Sequence, residues 1–117
     1  NDLPYLFCTQ NRTWSVAKGE CAQYNYALVS IFDGQENTWI DTIADQYSPS
    51  KWWIGFNDLT VENYWDWDGP FTTYTNWEIG HPDNAGNADC AVLNEYAGGG
   101  WTDTSCSESL YFICGLE

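Results

Sequence analysis

The chain has 117 residues, the length of one domain, so residues 1–117 are predicted to form a single unit. Its 3 basic and 17 acidic residues give a formal net charge of −14. This excludes nucleic-acid binding, because phosphate contacts need clustered Lys and Arg. No apolar run approaches the roughly 20 residues of a spanning helix, so we expect no membrane insertion. Without a charged-then-apolar leader, the chain is expected to be a processed form or an excised domain.

The first elements predicted are a strand, a helix and a link. Residues 5–9 form an apolar run typical of a short strand. Thr13 suits the N-cap of a helix. The apolar residues that follow at helical spacing are Trp14, Ala17, Cys21 and Tyr24. Residues 28–31 then indicate either a strand or an extended link.

A second helix is predicted after this link. Asp33 and Glu36 resemble a capping box in which Asp takes the place of Ser or Thr. The apolar face of this helix is predicted to comprise Trp39, Ile40, Ile43, Ala44 and Tyr47. Residues 48–50, Ser-Pro-Ser, end the helix, because proline cannot continue it.

The second half of the chain predicts strands around a long loop. The predicted strands are residues 52–56, 64–67, 90–93, 100–102 and 110–114. Residues 69–89 are rich in Gly, Pro, Asn, Asp and Thr. A loop of this length inside a compact domain is usually functional. Helices that precede antiparallel-looking strands indicate an α+β fold.

Five cysteines bear on the compartment and on metal chemistry. They are Cys8, Cys21, Cys90, Cys106 and Cys114. There is no Cys-x-x-Cys pair and only one histidine, so a tetrahedral zinc site is not expected. Two disulfides and one leftover cysteine are expected instead, which indicates an oxidising, extracellular setting; their connectivity stays open. Cys8 lies in an apolar run and is either a buried free thiol or part of an intermolecular disulfide.

Several sequence pieces in a fixed order make the chain resemble a C-type lectin domain over essentially its whole length. The pieces are residues 14–21, residues 27–31, Trp53-Ile54-Gly55-Phe56, Trp65-Asp66-Trp67-Asp68-Gly69, Thr75-Asn76-Trp77, Gly80-His81-Pro82-Asp83-Asn84, Asp89-Cys90, Gly100-Trp101-Thr102-Asp103, Cys106 and Phe112-Ile113-Cys114. The resemblance implies two helices beside two small antiparallel sheets, with a long loop region that carries calcium and ligand. It also implies disulfides Cys21–Cys114 and Cys90–Cys106, and a cis peptide bond before Pro82.

An auxiliary calcium site is implied by the same resemblance. The positions that match the ligands of the family are Asp58, Glu62, Asn84 and Asp89. Calcium takes roughly six to eight hard oxygen ligands, which three carboxylates and an amide begin to supply. The alternative is an ordinary turn, since Asp58 begins a loop and Asn84 suits one.

The primary site of the family is altered in this chain. His81-Pro82-Asp83 stands where the family has Gln-Pro-Asp for galactose-type sugars, and Ala88 stands where it has an extra Glu. Asp83 and Asp103 are predicted as calcium ligands. Neutral His is a poor calcium ligand, because its nitrogen suits transition metals, so His81 is assigned to ligand hydrogen bonding or to titration with pH.

Sugar binding is predicted at the same place. In the family, two vicinal sugar hydroxyls complete the calcium shell; here they would donate to Asp83 and accept from donors such as Thr102 or Asn87. Thr102 replaces the Asn of the family pattern. Tyr96 is either a ring against the apolar face of galactose or an ordinary surface tyrosine. Trp77 and Trp101 match core positions and are not assigned to sugar.

Calcium-dependent binding of galactose-type glycans is therefore the predicted function, with His81, Asp83, Asn87, Tyr96, Thr102 and Asp103 as sugar-binding residues. The alternative is a protein-binding or adhesion module with structural calcium or none. No enzyme is expected, since the sequence has one histidine, no Gly-x-Ser-x-Gly elbow, no phosphate loop and no His-x-x-x-His pair. The leftover Cys8 allows a covalent homodimer, and the domain also suits a place in a larger chain.

Overall fold

The computed structural model describes residues 5–83, 88–96 and 98–116. Asn84 and Asn87, which the sequence assigns to calcium and sugar, lie outside these residues. The elements are β1 Tyr5–Arg12, α1 Trp14–Gln23, β2 Tyr26–Leu28, α2 Gly34–Tyr47, β3 Trp52–Val61, β4 Tyr64–Trp67, β5 Cys90–Leu93, β6 Thr102–Thr104 and β7 Leu110–Leu116. The predicted α+β class is confirmed.

Both helices begin where the sequence predicts, but only one has a side-chain cap. Asp33 accepts a hydrogen bond from the backbone N of Glu36 at 2.8 Å. The Glu36 carboxylate accepts a hydrogen bond from the backbone N of Phe32 at 2.7 Å. In a capping box the donor is the backbone N of the N-cap residue, which here is Asp33, one residue later in the chain. Thr13 takes the N-cap position of α1 without a side-chain hydrogen bond.

The apolar face predicted for α2 is partly wrong. Ile40 and Ala44 are buried, whereas Trp39 and Tyr47 are exposed. Their rings lie over β1, where Phe7 sits 6.4 Å from Trp39 and 5.7 Å from Tyr47 between ring centroids. Helical spacing alone cannot separate a buried face from an aromatic flank that covers a neighbouring strand.

The sheet follows the strand order β1-β7-β3-β5-β6, with β2 also paired to β7 and β4 to β3. Every pairing is antiparallel except that of β3 with β7, which is parallel. The two small sheets that the resemblance implies are thus joined along β3 and β7. Gly55 lies at this junction, where an added Cβ would be 2.7 Å from the Leu28 carbonyl oxygen, so only glycine fits.

Two disulfides tie the sheet to the rest of the chain. Cys21–Cys114 joins α1 to β7, and Cys90–Cys106 joins β5 to the turn after β6. The pairing implied by the resemblance is confirmed. Cys8 is a free, half-buried thiol on β1.

The long loop before β5 contains no helix or strand among its described residues, 68–83 and 88–89. A parallel bridge from Trp77 to Trp101 ties it to the core. The predicted strand at residues 100–102 starts too early, because β6 begins at Thr102. Gly98 and Gly99, at φ values of 101° and 81°, turn the chain just before it. Trp101 is buried, as predicted, and Trp77 packs against the core.

Candidate functional site

Two groups of metal-ligating side chains converge among the described residues. The Asp58 cluster comprises Asp58, Glu62 and Asp89, and the His81 cluster comprises His81, Asp83 and Asp103. In each cluster, the three ligand atoms lie within 4.8 Å of one another. The structure thus brings together residues that the sequence singles out, and their roles as calcium or sugar ligands stay predictions.

The Asp58 cluster forms where β3 runs beside the residues that lead into β5. Asn57 pairs with Cys90 across the two strands. The backbone N of Asp58 donates to the Asp89 carbonyl at 3.0 Å, which brings the two carboxylates together. Glu62 joins them from the turn between β3 and β4.

Two carboxylate oxygens of this cluster lack a donor. Asp58 is only 2% exposed, and its Oδ2 accepts from the backbone N of Asn63 at 2.9 Å. No donor among the described residues reaches Asp58 Oδ1 or Asp89 Oδ1, and both atoms are buried. A buried carboxylate oxygen that accepts no hydrogen bond lowers the stability of the folded state unless a proton or a cation compensates its charge.

The proximity of these carboxylates also affects the pKa of Asp89. The pKa of Asp89 is raised from 3.8 to about 6, with burial as the largest cause and a hydrogen bond with Asp58 as the second. The charges of Asp58, Glu62 and Asp103 act in the same direction. Hard oxygens that converge without a counter-charge fit a calcium ion.

The His81 cluster joins the long loop to β6. The Asp103 side chain is fully buried, that of His81 is 18% exposed, and that of Asp83 is 46% exposed. His81 Nδ1 donates to Asp103 Oδ1 at 2.8 Å, because an ionised carboxylate only accepts. The backbone N of Asp83 donates to the same oxygen at 3.0 Å.

The loop that carries His81 is held by backbone bonds. The N of His81 donates to the Glu78 carbonyl at 2.9 Å, and the N of Glu78 donates to the Trp101 carbonyl at 2.8 Å. The peptide bond between His81 and Pro82 is cis, as the resemblance implies.

Calcium does not fit the described residues of the His81 cluster by themselves. They offer two carboxylates and an imidazole, short of the roughly six to eight oxygens that calcium takes. Ala88 is buried and offers no side-chain ligand. The assignment of calcium to Asp83 and Asp103 stays a prediction.

Glu95 is a residue that the sequence analysis missed. Thr102 is fully buried, and its hydroxyl donates to Glu95 Oε1 at 2.5 Å. The hydroxyl expected to face the sugar is thus engaged inside the protein, while Glu95 is exposed. No sequence signal marks Glu95, because only the path of the loop between β5 and β6 brings it back to Thr102. Tyr96 follows it and is also exposed.

The fold and both clusters define a binding module of the C-type lectin kind, and comparison with known proteins agrees. The family model for the lectin C-type domain matches residues 10–116. The chain therefore belongs to the C-type lectin domain family, whose members are non-enzymatic binding modules.

Individual relatives are also similar. The chain is 38% identical to C-type mannose receptor 2 of Mus musculus over 115 residues, which covers 97% of this chain and 8% of the receptor. The C-type lectin CEL-I from Cucumaria echinata has a TM-score of 0.89 at 29% identity, which covers 100% of this chain and 93% of that chain. The mouse scavenger receptor C-type lectin carbohydrate-recognition domain has a TM-score of 0.84 at 33% identity, with coverages of 100% and 95%. Among the described residues, neither helix has the length and apolar character needed to cross a bilayer.

Proposed function

We propose that this chain is a calcium-dependent carbohydrate-binding domain with a preference for galactose-type sugars. The observation that carries the proposal is the Asp58 cluster, where buried carboxylate oxygens converge without a donor. The likeness to a structure described as a carbohydrate-recognition domain supports the choice of ligand class.

The Asp58 cluster holds calcium in this proposal. Asp58, Glu62 and Asp89 are the described ligands, and Asn84 is expected to join them. Calcium would supply the positive charge that these carboxylates lack. Asp89 lies directly before β5, at the end of the long loop that carries His81 and Asp83. Because Asp89 is held among the ligands of the Asp58 cluster, this end of the loop is fixed.

The His81 cluster and its neighbours bind the sugar. Asp83 is the exposed carboxylate and accepts hydrogen bonds from sugar hydroxyls, and the Asp of the His-Pro-Asp triplet supports galactose-type preference. Buried Asp103 orients His81 through the Nδ1 hydrogen bond. The exposed Tyr96 ring is assigned to the apolar face of the sugar, with Asn87 as a further polar contact. Thr102 acts through Glu95, which its hydroxyl orients.

The setting proposed for the domain is extracellular. Two disulfides persist in oxidising compartments and are rare in reducing ones. The chain spans 8% of the length of the mannose receptor that it resembles, so a place in a larger chain is one arrangement. A homodimer through Cys8 is the other.

Retention on a galactose-coupled resin tests this function. We expect the domain to be retained in calcium buffer and released by EDTA. Asp83→Ala should abolish retention, whereas Asp45→Ala, which removes an exposed carboxylate of α2, should not. Flow-through of the wild-type domain with its fold intact by circular dichroism would overturn galactose binding.

A second candidate is a protein-binding module. Phe71 and Ile79 favour it, because both project from the long loop and Ile79 is 95% exposed. Exposed apolar side chains of this kind are typical of contact surfaces when they cluster. Capture of a protein partner that excess galactose does not compete away would favour this candidate.

A further inference from the structure

We infer that the His81 cluster is a binding site for zinc, or a similar first-row transition-metal dication, and not a second calcium site. The inference goes beyond the proposed sugar binding and does not depend on it. It concerns three side chains, His81, Asp83 and Asp103, whose ligand atoms lie within 4.8 Å of one another.

The donor set is the first argument. Imidazole nitrogen suits zinc and its neighbours, whereas calcium takes oxygen almost exclusively. Three protein ligands that include an imidazole, with the remaining position left for water or a ligand, form an established type of zinc site. The sequence analysis expects no tetrahedral zinc site, because the chain has no Cys-x-x-Cys pair and only one histidine. The structure differs by placing two carboxylates beside that histidine, which the order of residues along the chain does not reveal.

The spacing of the ligand atoms is the second argument. His81 Nδ1 lies 2.8 Å from Asp103 Oδ1 and 3.8 Å from Asp83 Oδ2. Two ligands bonded to one tetrahedral zinc at about 2.1 Å lie roughly 3.4 Å apart, between these two values. Small side-chain movements, together with a shift of the ring proton of neutral His81 from Nδ1 to Nε2, therefore suffice to place all three atoms around one ion.

The surroundings hold the ligands in place. The Asp103 carboxylate is fully buried, and a hydrogen bond of 3.0 Å from the backbone N of Asp83 to its Oδ1 fixes the direction of this oxygen, which keeps a second lone pair for a metal. The His81 backbone is tied to Glu78, which is tied to Trp101. Such outer contacts orient ligands before the metal arrives and add to affinity.

Charge balance is the third argument. Two carboxylates and a neutral imidazole carry two negative charges, which one dication neutralises. The chain as a whole carries a formal charge of −14 and offers 3 basic residues to offset it.

The test uses zinc and cobalt on the folded chain in the presence of saturating calcium. Cys8→Ser serves as the background, because Cys8 is the free thiol and would itself bind either metal. Zinc affinity is measured by isothermal titration calorimetry, and cobalt is followed by its visible absorption bands. The ring signals of His81 are followed by NMR, since this is the one histidine of the chain.

We expect one zinc ion per chain, a shift of the His81 ring signals and cobalt bands that excess calcium does not remove. His81→Gln restores the family's all-oxygen triplet and should weaken zinc binding by about tenfold or more. The matched control Asp45→Asn, an exposed carboxylate on α2, should leave the zinc affinity within the error of the measurement.

Unchanged zinc affinity in His81→Gln, or no binding of zinc in the presence of saturating calcium, would overturn the inference. Asp83→Asn is the second variant, because Asp83 is exposed and its replacement leaves the buried Asp103 in place. All readouts use the metal alone, so loss of galactose retention would count against the proposed function and not against this site.

Discussion

At the scale of single residues, the excess of acidic side chains concentrates negative charge at the Asp58 cluster. Asp58 is buried and Asp89 is half-buried, and the buried Oδ1 atom of each receives no hydrogen bond from a donor among the described residues. Such an arrangement destabilises the protein when no cation is bound. Calcium binding and folding are therefore expected to be coupled at this cluster.

Asp58→Asn should remove most of the stabilisation by calcium. An ion present at about 100 times its Kd stabilises the folded state by about 2.7 kcal/mol, and this increment depends on the ligands. Without calcium, the variant should be at least as stable as the wild type, because one repulsive charge is lost. Thermal unfolding followed by circular dichroism, with and without calcium, measures both effects. An equal calcium-induced rise in Tm in both proteins would contradict the assignment.

The thiol of Cys8 should react slowly. Burial, and then the charge of Glu20, raise its pKa above the ordinary 9.0, so less thiolate is present at any pH below that pKa. Reaction with a disulfide reagent should therefore lag behind that of free cysteine near neutral pH and accelerate as the pH rises. Glu20→Gln should speed the reaction by removing one cause of the shift. Reaction as fast as that of free cysteine would contradict the burial of this thiol.

At the scale of elements, the two helices differ in how they begin. Asp33 bonds to the backbone of Glu36, whereas Thr13 makes no side-chain cap bond. The sequence predicts both cap positions, because suitable residue types stand there. It does not distinguish a bonded cap from an unbonded one, because this depends on a side-chain rotation.

Asp33→Ala should therefore cost about 1 kcal/mol of unfolding free energy, the typical value for loss of an N-cap bond. Thr13→Ala is the matched control and should cost clearly less. Urea unfolding of the two variants beside the wild type makes the comparison. Equal losses would mean that the cap bond of Asp33 contributes nothing.

At the scale of the whole molecule, the two disulfides constrain very different lengths of chain. Cys21–Cys114 spans a sequence separation of 93 residues and Cys90–Cys106 one of 16. The longer link joins α1 to β7, which pairs with β1, β2 and β3.

Replacing both cysteines of the longer link by alanine should destabilise the domain more than replacing those of the shorter one. Loop-closure entropy gives about 4.7 kcal/mol for the first and about 3 kcal/mol for the second. Urea unfolding of the two double variants tests the order. A greater loss for Cys90–Cys106 would show that local packing outweighs chain entropy.

The sequence by itself determined the family and the approximate bounds of most elements, and it singled out the residues that meet in the two clusters, whose roles as ligands stay predictions. These follow from motif order and from residue types at motif positions, such as Asp58 after the Trp53-Ile54-Gly55-Phe56 motif and Asp89 directly before Cys90. The disulfide pairs came from the same resemblance and not from spacing.

Only the tertiary structure decided the parallel contact of β3 with β7, the exposure of Trp39 and Tyr47, the bond from Thr102 to Glu95 and the bond from His81 to Asp103. Each depends on where a loop returns to the sheet, and periodicity contains no information on that path. His81 and Asp103 are separated by 22 residues, and their 2.8 Å contact arises from backbone bonds across the long loop. The chemistry of a site follows from such convergence, because an ion or a sugar is bound only where several ligand atoms lie around the same position.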